Sequence, residues 1–274
     1  MTDINVIAHR GANHYAPQNT KEAFEKAVEV GCDGFETDVH LTKDGVPVIC
    51  HNFTIDATSN GKGYIRDLTL EELRSYDFGS YRGEQFAGIK APTLDEFLEV
   101  SASMGDKMKV LDIELKSEHF GDSGTEIAEK TIAAVKEHDL FDKLLISSFD
   151  PALLVVCKKI DPKCKTGILY SPEKWVSVRV SLHPVSFCKE IRADALHPHY
   201  AYVNKLYVKR AHDAGLEVNP WTVDREGTAK RLISLGVDGL ITNDPFLMNN
   251  LLGKESVEPE MYDCRKLTLQ NQNG

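Results

Sequence analysis

The sequence has no long apolar run and no leader-like N-terminus. No stretch of its 274 residues approaches the ~20 apolar residues that a transmembrane helix needs. The N-terminus, MTDINVIAHRG, has no basic region followed by a long apolar one, as a secretory signal would. We therefore expect a cytoplasmic protein that does not insert into membranes.

Positively charged residues are outnumbered by negatively charged ones. The chain has 32 Lys and Arg against 42 Asp and Glu, and its formal net charge is -10. Binding to nucleic acid or to anionic lipid needs clustered Lys and Arg. We therefore expect neither kind of partner, and a site that handles phosphate must be positive only locally.

The cysteines follow no metal-binding pattern. They form no CxxC pair and have no zinc-like spacing; they are Cys32, Cys50, Cys157, Cys164, Cys188 and Cys264. Their number is even, but without a secretory signal free thiols in a reducing compartment are favoured over disulfides. A nucleophilic cysteine is favoured even less.

What the sequence does contain is a set of charged and basic side chains at the ends of its first predicted strands. The apolar run Ile4 to Ala8 predicts a buried strand, and Gly11 allows the chain to turn directly after it. The strand therefore delivers His9 and Arg10, a base and a cation, at its end.

The next predicted strand, Gly34 to Leu41, alternates between its two faces. Glu36 and Asp38 share one face, so two carboxylates enter the same space. A turn at Lys43-Asp44-Gly45 predicts a hairpin whose second arm, Val46 to Cys50, ends at His51. The second histidine thus returns towards the first.

The run AHRGANHYAPQNTKEAFEKAVEVGCDGFETDVHLTKDGVPVICHN resembles the opening signature of the glycerophosphodiester phosphodiesterase family, in which HRG, ENT, ExD and HD follow one another at similar spacing. It departs twice: Gln18 stands where the family usually has Glu, and Asn52 where it usually has Asp. Neither change removes a residue to which we assign chemistry, although Asn52 cannot carry the charge of an Asp. The resemblance implies hydrolysis of diesters such as glycerophosphocholine or glycerophosphoethanolamine to glycerol 3-phosphate and an alcohol.

Strands and helices alternate along the rest of the chain. Apart from the hairpin arm, the core strands are predicted at Ile4 to Ala8, Gly34 to Leu41, Val110 to Lys116, Lys143 to Ser148, Lys165 to Tyr170, Ala193 to His197, Leu216 to Thr222 and Asp238 to Thr242. Eight strands in a chain of this length are typical of an α/β protein with a (β/α)8 TIM barrel, here over residues 1–253. A doubly wound open sheet is the alternative, which periodicity alone does not separate from the barrel.

Two segments interrupt or follow the alternation. Residues 52–92 contain SNGKG, a short amphipathic helix at Thr69 to Tyr76 and the glycine- and aromatic-rich DFGSYRGEQFAG. We predict an inserted subdomain beside the barrel mouth, and the family resemblance implies the same. Residues 254–274 are polar and are predicted to form a flexible or surface-draped tail.

A second group of acids lies in the predicted strand VLDIELK, where Asp112 and Glu114 share one face with Lys116. If this strand neighbours the one that carries Glu36 and Asp38, three carboxylates converge. Like charges in a confined site raise one another's pKa or require a cation, and oxygen ligands suit Mg²⁺ or Ca²⁺. Our hypothesis is one divalent ion held by Glu36, Asp38 and Glu114, with Mn²⁺ or Zn²⁺ as alternatives; the resemblance implies that the matching acids bind metal.

His9 and His51 are the predicted catalytic residues, since each ends a strand beside these acids. Phosphodiester cleavage takes a proton from the attacking hydroxyl and gives one to the departing alkoxide, and imidazole can do either near neutral pH. Arg10 and Lys116 are predicted to bind the non-bridging phosphate oxygens. The alternatives are a metal-free network of both cations with the acids and, for Lys116, a salt bridge to Glu114.

Trp221, in NPWTVD at the end of the seventh predicted core strand, resembles the family tryptophan that walls the substrate site; the alternative is an ordinary core aromatic. The segment LGVDGLITNDP resembles the family's last strand, so the likeness covers about Ile4 to Pro245. Two other functions remain open: a phospholipase of the phosphatidylinositol-cleaving or sphingomyelinase D type, and a barrel that binds metal or phosphate without catalysis. The acidic chain argues against the first, and the full set of acids and histidines against the second.

Overall fold

The computed structural model describes residues 4–116, 124–172 and 178–259. Its strands are β1 (Asn5–His9), β2 (Gly34–Leu41), β3 (Pro47–Ile49), β4 (Val110–Leu115), β5 (Leu144–Ser148), β6 (Lys165–Tyr170), β7 (Ala195–Pro198), β8 (Glu217–Val218) and β9 (Gly239–Thr242). Its helices are α1 (Lys21–Val30), α2 (Leu70–Ser75), α3 (Leu94–Ser103), α4 (Thr125–Glu137), α5 (Pro151–Ile160), α6 (Val178–Leu182), α7 (Pro184–Ile191), α8 (Lys205–Asp213), α9 (Glu226–Leu235) and α10 (Pro245–Leu252).

All strands except β3 form one parallel sheet in the order β8-β7-β6-β5-β4-β2-β1-β9, and β3 pairs antiparallel with β2. Backbone hydrogen bonds from Asp238 N to Val218 O (3.0 Å) and from Ile241 N to Pro220 O (3.1 Å) join the two ends of the sheet. The strand order follows the chain without the reversal that a doubly wound sheet has. The prediction of a (β/α)8 barrel is thus confirmed.

The seventh core strand is shorter than predicted. It was expected at Leu216 to Thr222, whereas β8 consists only of Glu217–Val218. Pro198, the last residue of the neighbouring strand β7, has no backbone N–H and cannot donate across to this strand, so the β7–β8 ladder is interrupted there. Trp221 therefore lies beyond the strand and not at its end, and its backbone N–H donates to Pro198 O (3.1 Å).

Helix ends match their sequence signals. The Thr20 side chain caps α1 by accepting from Ala23 N, and Gly31 ends the helix in the left-handed conformation (φ 88°). Thr93 begins α3 with a capping box that includes Glu96. Both helices therefore begin directly after the residues that cap them.

Aromatic packing fixes the strand that carries the first two acids. Phe35 of β2 is fully buried against Phe24 of α1 and Phe97 of α3, with ring centroids 5.5 Å and 6.0 Å away. Removing a ring from such a core costs about 3–5 kcal/mol. The opposite face of β2 is thereby held towards the barrel interior.

The insertion folds against the hairpin around a small core of its own: Val48, Cys50, Ile55, Ile65, Leu73, Phe78 and Ala91. It also reaches the loop after β1. Arg82 donates to the backbone oxygens of Asn13 (3.0 Å) and His14 (3.1 Å), and the Tyr81 hydroxyl accepts from Gln18 N (3.2 Å). The predicted inserted subdomain thus lies next to the residues that follow β1.

Three further predictions concern the chain as a whole. Within the described ranges, no helix has the length and apolar character to cross a bilayer. The described cysteines are free thiols and are buried, and burial raises the pKa of the Cys50 thiol to about 11. Of the predicted tail, residues 260–274 lie outside the described part.

Candidate active site

Adjacent strands bring the predicted residues together at the carboxyl end of the barrel. His9, the last residue of β1, is in register with Glu36 of β2. Asp38, two residues further along β2, is in register with Glu114 of β4. The condition for three converging carboxylates, that the strand with Glu114 neighbours the strand with the other two, is met.

The three carboxylates form one buried cluster. Glu36, Asp38 and Glu114 each offer an oxygen, these oxygens lie within 4.8 Å of one another, and the residues are 5%, 0% and 6% exposed. Hard oxygen donors at this spacing could hold a divalent ion.

Two cations contact the same cluster. Lys116 Nζ lies 2.7 Å from Asp38 Oδ1 and 2.6 Å from Glu114 Oε1, so the salt bridge foreseen as an alternative for Lys116 is present. Arg10 Nε lies 3.2 Å from Asp38 Oδ2. Both cations therefore converge on Asp38.

The two cations lower the pKa of Asp38, whereas the pKa of Glu36 stays raised. Burial alone would raise the pKa of Asp38, but the charges of Lys116 and Arg10 hold it well below its usual range. Burial and the neighbouring charge of Asp38 raise the pKa of Glu36 well above its usual range, although Arg10 opposes them. A further cation beside Glu36 would relieve this penalty, so the donor set fits a divalent metal.

Left-handed backbone positions aim two partners of the cluster. Arg10 and Asn19 both have φ of 57°, a region that residues other than glycine rarely adopt. In this conformation the Arg10 backbone N–H donates to Glu36 Oε2 (3.1 Å), and Asn19 Nδ2 donates to Asp38 Oδ2 (2.8 Å). Asn19 was not predicted as a site residue.

Both histidines are partly buried and each contacts an asparagine. His9 Nδ1 lies 2.6 Å from Asn243 Oδ1, and His51 Nδ1 lies 2.7 Å from Asn52 Oδ1. Burial and the charge of Arg10 lower the pKa of His9 well below its usual value. Burial lowers the pKa of His51 to about 4. Both imidazoles are therefore neutral near pH 7.

A cavity of about 200 Å³ opens over the cluster. The predicted residues that line it are His9, Arg10, Glu36, His51, Glu114 and Trp221. It is also lined by residues that were not predicted: Asp112, Phe149, Leu169, Ser171 and Ile241. Lys116 pairs with the lining acid Glu114, and Asp38 belongs to the carboxylate cluster, but neither Asp38 nor Lys116 lines the cavity.

Trp221 forms part of the cavity wall. Its Nε1 donates to His197 O (2.8 Å), and its ring meets Phe149 edge to face at 5.6 Å. The indole is partly exposed, and its role in walling a substrate stays a prediction.

Some of the residues that were missed had a visible sequence signal. Asp112 alternates with Glu114, is in register with Glu36, and lies 3.2 Å from His197 Nδ1 in the barrel interior. Phe149 directly follows β5, the position from which barrel sites are usually built. The strand ends alone would have suggested it.

A second cavity, of about 190 Å³, shares the walls formed by His9 and Arg10. Its other lining residues are Asn13, Gln18, Tyr81, Arg82 and Asn243. Gln18 Oε1 accepts from Arg10 Nη1 (2.6 Å), so Gln18 supplies an acceptor at the position where the family usually has Glu.

Comparison with known sequences gives consistent matches. Residues 9–247 match the model of the Glycerophosphoryl diester phosphodiesterase family. The chain is 41% identical over 249 residues to a glycerophosphodiester phosphodiesterase from Caldanaerobacter subterraneus subsp. tengcongensis, and this match covers 91% of the chain and 98% of the relative.

Solved structures match over similar lengths. An Oleispira antarctica phosphodiesterase in complex with the product sn-glycerol-3-phosphate is 30% identical, with a TM-score of 0.80 and coverage of 91% of this chain and 97% of that one. A glycerophosphodiester phosphodiesterase from Thermotoga maritima is 28% identical, with a TM-score of 0.71 and coverage of 92% and 99%.

Proposed function

The chain belongs to the glycerophosphoryl diester phosphodiesterase family, and we propose that this phosphoric diester hydrolase cleaves small glycerophosphodiesters with a divalent ion and two histidines. The expected products are glycerol 3-phosphate and an alcohol such as choline or ethanolamine. One observation carries the proposal: His9 and His51 line the same cavity as Glu36 and Glu114 of the carboxylate cluster. A location in the cytoplasm stays a prediction from the sequence.

The ion would be held by Glu36, Asp38 and Glu114. The raised pKa of Glu36 supports this, because the cations already present leave that carboxyl difficult to ionise. When bound, Mg²⁺ or Ca²⁺, or alternatively Mn²⁺ or Zn²⁺, would offset the negative charge that builds on the phosphoryl oxygens.

The histidines would carry the protons. Both are neutral in the free protein, so each has one ring nitrogen that can accept a proton. A bound phosphodiester is an anion, and its charge raises the pKa of nearby imidazoles. One histidine can then take the proton of the attacking hydroxyl while the other donates to the leaving alkoxide.

Arg10 is our candidate for binding the non-bridging phosphate oxygens, because its side chain reaches both cavities. The contacts of Lys116 with Asp38 and Glu114 favour the salt-bridge role, and its contact with phosphate stays a prediction. Trp221 would wall the alcohol or glycerol portion of the substrate.

We infer that the insertion restricts the substrate to small diesters. The cavity over the carboxylate cluster measures about 200 Å³, and Tyr81 and Arg82 of the insertion line the cavity beside it. A phospholipase that works at a lipid surface needs an open, apolar rim. Intact phospholipid vesicles should be poor substrates; hydrolysis of vesicles faster than glycerophosphocholine at matched concentration would favour the phospholipase alternative.

The test measures glycerol 3-phosphate release from glycerophosphocholine and glycerophosphoethanolamine by single variants. His9→Ala and His51→Ala should each lose at least about a hundredfold in kcat, the lower end of what general acid-base groups contribute. His138→Ala is the matched control, because His138 pairs with Asp95 (3.5 Å) at the end of α4, away from the cavity. A folded His51→Ala variant with near-normal kcat would show that the second base is misassigned, and a wild type without turnover would favour the non-catalytic barrel.

A further inference from the structure

A neutral histidine has two tautomers, and the contacts of His9 select one of them. The selection begins at Asp224, an exposed residue in the segment after β8. Its carboxylate accepts from Asn243 N (2.8 Å) through Oδ1 and from Asn243 Nδ2 (2.7 Å) through Oδ2. An ionised carboxylate only accepts, so the amide NH₂ of Asn243 must face it and the amide oxygen must point away.

Asn13 fixes the same orientation from the other side. Its Nδ2 donates to the backbone oxygen of His9 (3.0 Å), and because a carbonyl only accepts, this end of the Asn13 amide must be the NH₂ group. The same Nδ2 lies 2.6 Å from Asn243 Oδ1. Asn243 therefore presents its oxygen to Asn13 for a reason that is independent of Asp224.

His9 Nδ1 lies 2.6 Å from that same Asn243 oxygen, and it can bond to an acceptor only by carrying the proton. We propose that Asp224 and Asn243 are positioning residues that hold His9 in the tautomer with the proton on Nδ1. The lone pair is then on Nε2, the ring nitrogen that lies 3.8 Å from Glu36 Oε2 on the side of the carboxylate cluster.

The tautomer decides what His9 can do. With its lone pair on Nε2, the neutral ring can accept a proton from a group in the cavity; the other tautomer would present an N–H there and could not. His51 has the analogous contact with Asn52 Oδ1 (2.7 Å), but within the described part of the chain no second hydrogen bond orients the Asn52 amide. The proposal rests on the role of His9 in proton transfer given above.

Exchanging the two side chains tests the direction of each bond. In Asp224→Asn, the new amide offers one oxygen and one NH₂ group, whereas Asn243 offers two donors, its backbone N–H and its side-chain NH₂. One of these donors must therefore face the NH₂ group of residue 224. In Asn243→Asp, two carboxylates face each other. The double variant Asp224→Asn, Asn243→Asp restores the pairing and reverses only the bond between the two side chains. Asn at 224 still accepts from the backbone N–H of residue 243 through its oxygen and donates through its NH₂ to Asp at 243, which still accepts from His9 Nδ1.

We therefore expect each single variant to lose at least about tenfold in kcat, as loss of a partner that orients a functional histidine commonly does. KM should change little. The double variant should recover to within about threefold of wild type, because the two positions act as one coupled unit. Asp213→Asn is the control: it removes an exposed carboxylate that pairs with Lys209 (2.6 Å) on α8, and it should leave kcat unchanged.

The tautomer itself can be read without turnover. In metal-free full-length protein labelled with ¹⁵N-histidine, NMR distinguishes a protonated from an unprotonated ring nitrogen, and the His9→Gln variant assigns the His9 signals. We expect the proton on Nδ1 in the wild type, in Asp213→Asn and in the double variant, and a shift towards Nε2 in Asp224→Asn. A wild-type His9 with its proton on Nε2 would overturn the proposal, as would an Asp224→Asn variant with wild-type tautomer and kcat. If His9→Gln itself kept full kcat, the proposed function would fail while the tautomer assignment could still hold.

Discussion

Lys116→Met should destabilise the metal-free protein by about 3–5 kcal/mol, the usual cost of removing one partner from a buried ion pair. The Lys116 side chain is 6% exposed, and its Nζ contacts Asp38 Oδ1 at 2.7 Å and Glu114 Oε1 at 2.6 Å. Met fills a similar volume but carries no charge. Asp38 and Glu114 would then face each other and Glu36 without the charge of Lys116. Of the two cations that contact the carboxylate cluster, Arg10 would remain.

A divalent ion should return part of this loss. A ligand that binds only the folded state stabilises it by about 2.7 kcal/mol at 100 times its Kd. Because the variant site is more negative, Mg²⁺ or Ca²⁺ should stabilise Lys116→Met more than wild type. Urea unfolding with EDTA and with each ion measures both effects.

Lys158→Met is the matched control, because Lys158 also pairs with a carboxylate, that of Asp194, at 2.6 Å, but this carboxylate is 39% exposed. It should cost about 1 kcal/mol or less and show no dependence on the ion. Two results would refute the reasoning. A loss for Lys116→Met as small as that of the control would mean that the buried ion pairs do not stabilise the fold. Equal stabilisation of variant and wild type by the ion would mean that the ion does not bind at the carboxylate cluster.

The remaining predictions concern the second histidine, pH and the insertion. Asn52→Asp should keep kcat within about tenfold of wild type, because a carboxylate can accept the same bond from His51 Nδ1; a larger loss would show that the neutral amide is required. Burial lowers the pKa of His40 to about 3, so acidification protonates this side chain in the unfolded chain before it does so in the folded protein. On this account the free energy of unfolding should fall by about 2.5 kcal/mol between pH 7 and pH 4.5. Urea unfolding of His40→Gln at the two pH values should show a loss that is smaller by this amount. Arg82→Ala should raise KM for glycerophosphocholine with little change in kcat, because it frees the insertion from the loop after β1. Arg66→Ala, in the same insertion, is the control and should change neither constant. Equal KM values for both variants would contradict the role of the insertion.

Local patterns were sufficient to predict most of the site. Strand alternation placed Glu36 and Asp38 on one face of β2, and Asp112 and Glu114 on one face of β4, because side-chain direction in a strand depends only on position along it. The pairing of β2 with β4 was a condition that the pattern could not establish, since the insertion and α3 separate them in the chain. The number of strands in a chain of this length, and not the periodicity within each strand, favoured the barrel.

Features that depend on distant contacts could not be predicted. Asn243 meets His9 across 234 positions of the chain, and no local signal marks an asparagine as the partner of a particular histidine. The early end of β8 follows from Pro198 on the neighbouring strand β7, which cannot donate to the ladder and which the pattern of β8 itself does not include. Helices α7 and α10 were not predicted, although Pro184 and Pro245 at their first turns are typical of helix starts.

The most direct test of the proposed chemistry is glycerol 3-phosphate release from glycerophosphocholine by wild-type protein that has been stripped with EDTA and then given back a single ion. We expect the stripped protein to be inactive and Mg²⁺, Ca²⁺ or Mn²⁺ to restore turnover, because Glu36, Asp38 and Glu114 form a site that fits a divalent ion. Full activity in thoroughly chelated protein would contradict this and would leave the buried carboxylates with only a structural role.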